Sequence, residues 1–203
     1  MARSEWVSDD IMGLILATML PANRLAVQVS CATGLRIDDV LSLKTETVLR
    51  CERPYVTDSK TGKRHRIYLP RQLRTQMLSQ AGKVWVWPGR IKPHEQHRTR
   101  QAVYKDMLRA VDVVKRAGWC ARGAKISPHS ARKCAAVRAY HKGGFEAAQA
   151  LLQHDDGHPM VTMLYALSDS PELLPSMRRK RRSNAKSHRN AHKGQSPHGS
   201  GHV

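Results

Sequence analysis

The chain has 203 residues, 40% of them hydrophobic, which is enough to bury the core of one domain with an appendage. Its 35 lysines and arginines outnumber 16 acidic residues, and the net charge of +19 indicates a polyanionic partner, because such a charge repels itself and is not needed for folding. The four cysteines form no Cys-x-x-Cys pair, no signal peptide is recognisable and no apolar run could span a bilayer, so the sequence favours free thiols in a reducing cytoplasm and excludes a membrane protein.

The N-terminal segment predicts two core helices. The first covers residues 8–19, where acidic residues precede an apolar run, and it ends before Pro21 because proline cannot continue a helix. The second covers residues 22–33 and buries apolar side chains that include Leu25 and Val29.

A Thr-Gly-Leu-Arg turn follows at residues 33–36. Gly34 can take the left-handed conformation that ends a helix. Asp38 or Asp39 can cap the short helix that follows and runs to position 43. We therefore expect Arg36 to be held in a fixed corner between two packed helices.

Short β-prone runs come next. Strands are predicted at residues 47–50, 54–59 and 64–69, and the last two flank a glycine-containing turn typical of a β-hairpin. That turn carries two lysines, Lys60 and Lys63.

The middle of the chain predicts two helices, over residues 71–80 and 99–117. Between them lie a brief extended segment at 84–87 and a loop at 89–97 that is rich in basic residues and histidine. Thr99 is a suitable cap for the second helix.

Ser127 and Pro128 predict the start of another helix, which should run to the Gly143-Gly144 pair. His129 and Arg132 share one face of its first turn, with apolar residues on a different side, so this cationic pair is expected to stay outside the core. Unpaired amides and the positive end of the helix dipole lie beside the pair, which together predict a site for a phosphate.

Two more short helices are predicted after the glycine pair. One, over residues 146–153, delivers His154, and another begins at Pro159 and carries Tyr165. A last helix is predicted from Pro171 to position 177. The histidines, the arginine and the tyrosine on successive short helices could converge on one phosphate.

In this order the motifs resemble the boxes of the tyrosine recombinases, the phage integrase family. Arg36 resembles the arginine of the first box, and the His129-x-x-Arg132 helix, followed by His154 and then Tyr165, resembles the second and third boxes. The lysine that the family carries in a β-hairpin turn matches Lys60, directly before Thr-Gly.

The resemblance implies the tyrosine recombinase catalytic-domain fold, which is mainly α with a small antiparallel β-sheet (α+β). The predicted organisation is a catalytic domain over residues 1–175, without the core-binding domain that clamps the opposite face of DNA, and a basic tail over residues 176–203. The tail has almost no apolar residues, so it is expected to be disordered alone.

The activity that the resemblance implies is site-specific DNA recombination without metal, ATP or other cofactor. Tyr165 would attack a phosphodiester and form a covalent 3′-phosphotyrosyl intermediate. The guanidinium groups of Arg36 and Arg132 would bind its non-bridging oxygens, since a planar fork suits phosphate geometry.

Three residues would complete the reaction. Lys60 would protonate the departing 5′-oxygen, and His129 would manage the tyrosine proton or position the phosphate. His154 would donate a hydrogen bond to a phosphoryl oxygen.

The implied partner is double-stranded DNA, bound as a dimer to tetramer in the cytoplasm, at the bacterial nucleoid or in a phage-infected host. Counterion release at basic side chains would supply affinity, and the residues predicted to contact DNA are Lys63, Arg64, Arg178, Arg179, Lys180, Arg181 and Arg182.

A second interpretation stays open on the sequence alone. The missing clamp domain would be compatible with a catalytically weak or inactive DNA-binding accessory protein derived from the same fold, or with an enzyme that depends on an accessory DNA-binding protein. The intact set of six site residues favours the enzyme.

Overall fold

The computed structural model describes residues 4–152, which form seven helices and one two-stranded antiparallel sheet. The expected mainly helical architecture with a small sheet is confirmed. The helices are α1 (Asp9–Thr18), α2 (Pro21–Thr33), α3 (Ile37–Leu41), α4 (Thr45–Arg50), α5 (Arg71–Gln80), α6 (Arg100–Arg116) and α7 (Pro128–Leu152). The strands are β1 (Tyr55–Thr57) and β2 (Arg64–Arg66).

Local sequence signals set the ends of several helices. Ser8 caps α1, and its Oγ accepts a hydrogen bond from the Ile11 amide at 3.4 Å. Thr99 caps α6 in the same way, as predicted, through the Ala102 amide at 3.3 Å. Gly34 ends α2 with a φ of 73°, the left-handed conformation that its place in the turn predicted.

Helix α2 lies at the centre of the described chain. It packs against α1, α3, α5, α6 and α7, so side chains on several of its faces are removed from water. Ala26, Val27 and Val29 are completely buried. Their burial fixes the direction in which α2 presents its C-terminal turn, and therefore the position of the Arg36 corner that follows it.

A buried polar network ties α6 to the start of α2. The Asp106 carboxylate accepts hydrogen bonds from the Asn23 side-chain amide at 2.7 Å and from the Leu20 amide at 3.0 Å. Arg98 donates to the Asn23 side-chain oxygen at 2.6 Å. Because each of these groups is buried or partly buried and paired, the network holds the N-terminal end of α6 in a defined place.

The two strands pair over three residues, with Tyr55 opposite Arg66, Val56 opposite His65 and Thr57 opposite Arg64. They confirm the predicted hairpin, although both strands are shorter than predicted. Alternate residues face the core and the solvent, as expected of a sheet covered on one side.

The predicted strand at 47–50 is wrong, because these residues belong to helix α4. Val48 is completely buried, and Arg74 of α5 donates to the carbonyl oxygens of Val48 and Leu49 at 2.7 and 2.6 Å. These bonds satisfy carbonyls that the end of a short helix leaves unpaired, so a contact from a distant part of the chain outweighs the β propensity of the segment. The segment predicted as extended at 84–87 contributes one isolated antiparallel bridge, between Lys44 and Trp85.

Helix α7 is interrupted where its sequence predicted a stop. Gly143 and Gly144 have non-helical backbone angles, and Gly144 has a φ of 70°. The helices predicted from Pro159 and from Pro171, and the basic tail, lie outside the described residues. Within residues 4–152, no helix is both long enough and apolar enough to cross a membrane.

Candidate active site

A cleft of about 470 Å³ opens where α3, the hairpin turn, α6 and α7 approach one another. Arg36, His129 and Arg132, which come from motifs nearly 100 residues apart, line it together. Several residues that the sequence did not single out also line it, among them Ser59, Arg100 and Tyr104. The fold therefore brings three of the predicted site residues to one cavity.

Arg36 occupies the N-cap position of α3, directly after the left-handed Gly34 turn. One quarter of its side chain is exposed. Its guanidinium forms an ion pair and hydrogen bond with Asp58, and Nη1 lies 3.9 Å from a carboxylate oxygen of Asp39. The corner predicted for Arg36 is thus present, with two carboxylates holding its side chain.

Asp58 connects Arg36 to the turn that carries Lys60. The Asp58 side chain is buried, with a residue exposure of 4%, and its Oδ1 accepts hydrogen bonds from the amides of Lys60 and Thr61 at 2.8 and 2.9 Å. Its Oδ2 bonds to Arg36. Lys60 itself is exposed and does not line the cleft, but its backbone is fixed to the cleft arginine through this single carboxylate.

The prediction that Asp38 or Asp39 caps α3 is wrong, since the N-cap residue Arg36 makes no side-chain capping bond. Asp39 is buried, and its Oδ1 accepts from the Ser59 amide at 3.0 Å. Asp38 instead lies in the cleft wall, 3.6 Å from the Arg100 guanidinium. The Asp39 carboxylate, which the local sequence assigns to a helix end, therefore bonds to the hairpin turn instead.

Arg132 is buried, with 4% exposure, which corrects the expectation that the cationic pair stays outside the core. Its guanidinium donates to the carbonyl oxygen of Gly34 and, through Nη2, to that of Leu152 at 2.8 Å. Apart from His129, the residues of the first two turns of α7 are buried, and the helix packs against α2 and α6. Arg132 therefore links the Arg36 corner to the end of α7.

His129 is exposed at the start of α7, where the predicted cap is confirmed. Its amide donates to Ser127 Oγ at 3.3 Å, while the Ser127 amide donates to Ser130 Oγ at 3.2 Å. This reciprocal pair satisfies donors that the helix start leaves unpaired. The imidazole consequently projects from a fixed backbone into the cleft.

His65 is a further titratable group beside the site that sequence reasoning missed. It is half-buried on the inner side of the hairpin, and burial lowers its pKa, an effect that the charge of Asp58 partly opposes and that of Arg132 supports. Among the described residues, its Nδ1 has no hydrogen-bond partner. The alternation of the strand could have identified it, because His65 is in phase with the buried Ile67.

Asp58 is expected to stabilise the fold through both of its oxygens. Substitution by alanine removes the acceptor of two amides and the carboxylate bound to Arg36, and should lower the free energy of unfolding by about 2–3 kcal/mol. Asp58→Asn keeps an acceptor for the amides and should cost about half as much. Urea unfolding at pH 7 measures both, with Asp112→Ala, an exposed partner of Arg116, as a control expected to change stability by less than about 0.5 kcal/mol.

The difference in unfolding free energy between wild type and Asp58→Asn should depend on pH. Burial alone would raise the pKa of Asp58, but the amides of Thr61 and Lys60 and the Arg36 guanidinium together bring it below its ordinary value of 3.8. The unfolded chain therefore binds the proton more readily, so the stabilisation is complete above about pH 4 and is lost as the pH falls through the lower folded pKa. A difference between wild type and Asp58→Asn that persists unchanged at pH 2–3 would contradict this assignment.

The chain is similar to one protein family over most of its length. A model of the phage integrase family matches residues 8–170 of the chain. No curated protein matches the sequence significantly.

Several solved structures share the fold. A lambda integrase dimer bound to a COC′ core site has a TM-score of 0.66 and 19% identity, over 82% of this chain and 49% of that chain. The lambda integrase catalytic core has a TM-score of 0.60 and 21% identity, over 76% of this chain and 93% of that chain. XerA recombinase has a TM-score of 0.63 and 16% identity, over 90% of this chain and 65% of that chain.

The extent of these matches differs between the chains compared. This chain spans between 49% and 60% of the length of three DNA-bound lambda integrase chains, whereas the isolated catalytic core is matched almost completely. The likeness is therefore to the catalytic domain.

Proposed function

The chain belongs to the phage integrase family, and from that premise we propose that it is a tyrosine site-specific recombinase, which cleaves and rejoins double-stranded DNA through a covalent 3′-phosphotyrosyl intermediate. The observation that carries the proposal is the shared cleft of Arg36, His129 and Arg132. These three side chains come from two motifs nearly 100 residues apart, and their convergence on one cavity is what the binding of a phosphodiester needs.

The two arginines are proposed to stabilise the charge that develops on the phosphoryl group. Arg36 is held by Asp58 and Arg132 by two backbone carbonyls, so both guanidinium groups are oriented before any DNA binds. Donors fixed in advance need no reorganisation during the reaction, and each can contribute about 3 kcal/mol to lowering the barrier.

In the proposed reaction the Tyr165 phenolic oxygen attacks the phosphorus as the bond to the 5′-oxygen breaks. His129 takes the phenolic proton or positions the phosphate, and Lys60 protonates the departing oxygen. Rejoining is the same step reversed, with a 5′-hydroxyl attacking the phosphotyrosine. Each step exchanges one phosphodiester bond for another, so the proposed reaction needs neither ATP nor a metal.

Two of the proposed catalytic residues, His154 and Tyr165, lie outside the described residues. Their roles follow from the motif order, with His154 as a hydrogen-bond donor to a phosphoryl oxygen and Tyr165 as nucleophile. The described end of α7 at Leu152 leads directly into this segment, and its carbonyl is bonded to Arg132.

Double-stranded DNA is the proposed partner, bound by a dimer to tetramer in the cytoplasm, at a bacterial nucleoid or in a phage-infected host. Among the structural neighbours are a lambda integrase tetramer bound to a Holliday junction and XerH recombinase bound to its palindromic difH substrate. Lys63 and Arg64 of the hairpin are proposed contacts, as are the tail residues Arg178, Arg179, Lys180, Arg181 and Arg182.

A second candidate is a catalytically weak or inactive accessory protein that binds DNA with the same fold. It is favoured by the position of Lys60, which is exposed and does not line the cleft with the two arginines. The two candidates differ in one observable, the covalent attachment of DNA.

The proposal is tested by trapping the covalent protein–DNA adduct, in an assay that does not require the target sequence to be known. Wild-type protein is incubated, in EDTA and without ATP, with a pool of duplexes that carry a nick within a randomised core, so that cleavage releases a short fragment and traps the intermediate. We expect an SDS-resistant protein–DNA adduct whose DNA is joined through its 3′-phosphate. Binding of the pool without any adduct would overturn the recombinase and support the accessory protein.

A further inference from the structure

The solvent side of the hairpin carries an ordered group of arginines and tyrosines. Residues in this part of the chain alternate strictly, with Val56 and Ile67 buried and their neighbours exposed. We define the outer face of the hairpin by five of these exposed residues, which are Arg53, Tyr55, Arg64, Arg66 and Tyr68. Half of each tyrosine residue is exposed, at 50% for Tyr55 and 53% for Tyr68.

The arginines of the outer face are stacked on its tyrosine rings. The guanidinium carbon of Arg64 lies 4.5 Å from the centre of the Tyr55 ring, and that of Arg66 lies 5.1 Å from it. Arg53 is 5.4 Å from the Tyr68 ring. A cation held over an aromatic ring keeps its charge and its N–H donors while losing part of its rotational freedom.

These three arginines differ from several surface cations that are paired with a carboxylate. Arg50 pairs with Glu46, Lys92 with Glu95 and Arg116 with Asp112. Within residues 4–152, no carboxylate lies within ion-pair distance of an arginine of the outer face. Three positive charges are thus concentrated on one small sheet face and left without a counter-charge from the described chain.

We propose that the outer face of the hairpin is a docking surface for the phosphate backbone of duplex DNA beside the cleft, an inference that rests on the proposed function. The ring-stacked guanidinium groups would each contact one phosphate, and the tyrosines would hold them in position. The charge complementarity identifies the occupant, since an uncompensated row of arginines suits a polyanion of regularly spaced phosphates.

The position of the surface fits DNA that also enters the cleft. The turn between the strands contributes Ser59 to the cleft wall and is tied to Arg36 by Asp58. The three paired residues of each strand extend roughly 10 Å from that turn, a length along which duplex DNA carries about six charges. A duplex bound at the cleft can therefore present several phosphates to the hairpin.

The salt dependence of DNA binding tests the proposal. The full chain carries Tyr165→Phe in every sample, so that binding is measured without cleavage, and fluorescence anisotropy follows a labelled 40-base-pair duplex between 50 and 200 mM salt. The test variant combines Arg53→Gln, Arg64→Gln and Arg66→Gln. The control combines Arg50→Gln, Lys92→Gln and Arg116→Gln, which changes the net charge equally at sites that already have acidic partners.

Loss of three phosphate contacts should reduce the slope of log affinity against log salt by about 2.7, so that the fall in affinity over this salt range becomes roughly 40-fold smaller. The control should change the slope by less than about 0.5. A test variant whose slope equals that of the control would overturn the proposal. The adduct assay is separate, so loss of cleavage with an intact slope would count against the recombinase and not against this surface.

The role of the rings has its own comparison. Tyr55→Phe keeps the stacked ring and should bind DNA like the parent chain, whereas Tyr55→Leu should weaken binding by about threefold because Arg64 and Arg66 lose their support. Equal binding by the two variants would remove the tyrosine from the docking surface. Matching circular dichroism spectra and melting temperatures would establish that each variant is folded.

Discussion

Replacement of Tyr165 by phenylalanine is expected to abolish the covalent adduct completely. The change deletes one oxygen atom, and under the proposed mechanism that atom forms the bond to phosphorus, so no residual attachment should remain. DNA affinity should be unchanged within about twofold, because the ring and all the basic residues are kept. Denaturing gel electrophoresis of the nicked-duplex reaction measures the first result, and anisotropy measures the second.

Tyr104 provides a matched control for this substitution. It lines the same cleft as Arg36 and is partly exposed, so it is the tyrosine that the described structure offers as a competing nucleophile. Tyr104→Phe should form the adduct at a rate within about threefold of wild type. If instead this variant loses the adduct and Tyr165→Phe retains it, the nucleophile is on α6 and the assignment of Tyr165 fails.

Substitution of Arg132 by lysine is expected to lower the rate of adduct formation by at least about 100-fold. Lysine keeps the positive charge, but a single ammonium cannot match the planar fork that binds two oxygens of a phosphate or reach two carbonyls at once. The variant should also lose about 2 kcal/mol of unfolding free energy, since one of the carbonyls of Gly34 and Leu152 is left buried without its donor.

Arg138→Lys separates catalysis from stability in the same helix. Arg138 also bonds to a backbone carbonyl, that of Cys31, but it is exposed and is not among the residues that line the cleft. We expect a stability loss of about 1 kcal/mol or less and an adduct rate close to wild type. An Arg132→Lys variant that cleaves as fast as Arg138→Lys would exclude Arg132 from phosphate binding.

Local signals in the sequence were sufficient to predict the corner and the turn. Gly34 ends α2 in the left-handed conformation and Ser127 caps α7, and both outcomes depend on residues close in the chain. The hairpin followed from alternation around a glycine turn. Together with the order of the motifs, these elements predict the cleft residues Arg36, His129 and Arg132.

Features that depend on distant contacts could not be predicted. The β-prone residues of α4 predict a strand, but the segment is helical because Arg74, more than 20 positions away, satisfies the carbonyls at its end. The burial of Arg132 depends on carbonyls at Gly34 and Leu152, and neither is visible in the spacing of a His-x-x-Arg motif.

The sequence also gives the wrong partners for the aspartates of the site, for a related reason. Asp39 is predicted to be a cap because a helix start lies beside it, whereas its partner is the Ser59 amide of the hairpin. Asp58 was not selected, although strict alternation after the buried Val56 gives it an inward direction and hence a need for a partner. An inward-facing charge in an amphipathic strand is therefore a usable signal in this sequence.

The double attachment of Asp58 has a consequence for protein engineers. A hairpin exchanged between relatives to alter DNA preference would bring its own residue 58, because that position lies between the two strands, and Arg36 would keep its carboxylate partner only if that residue is an aspartate. Chimaeras built at this position should therefore use only hairpins with an aspartate at position 58, or restore Asp58 by mutation, so that Arg36 keeps its carboxylate.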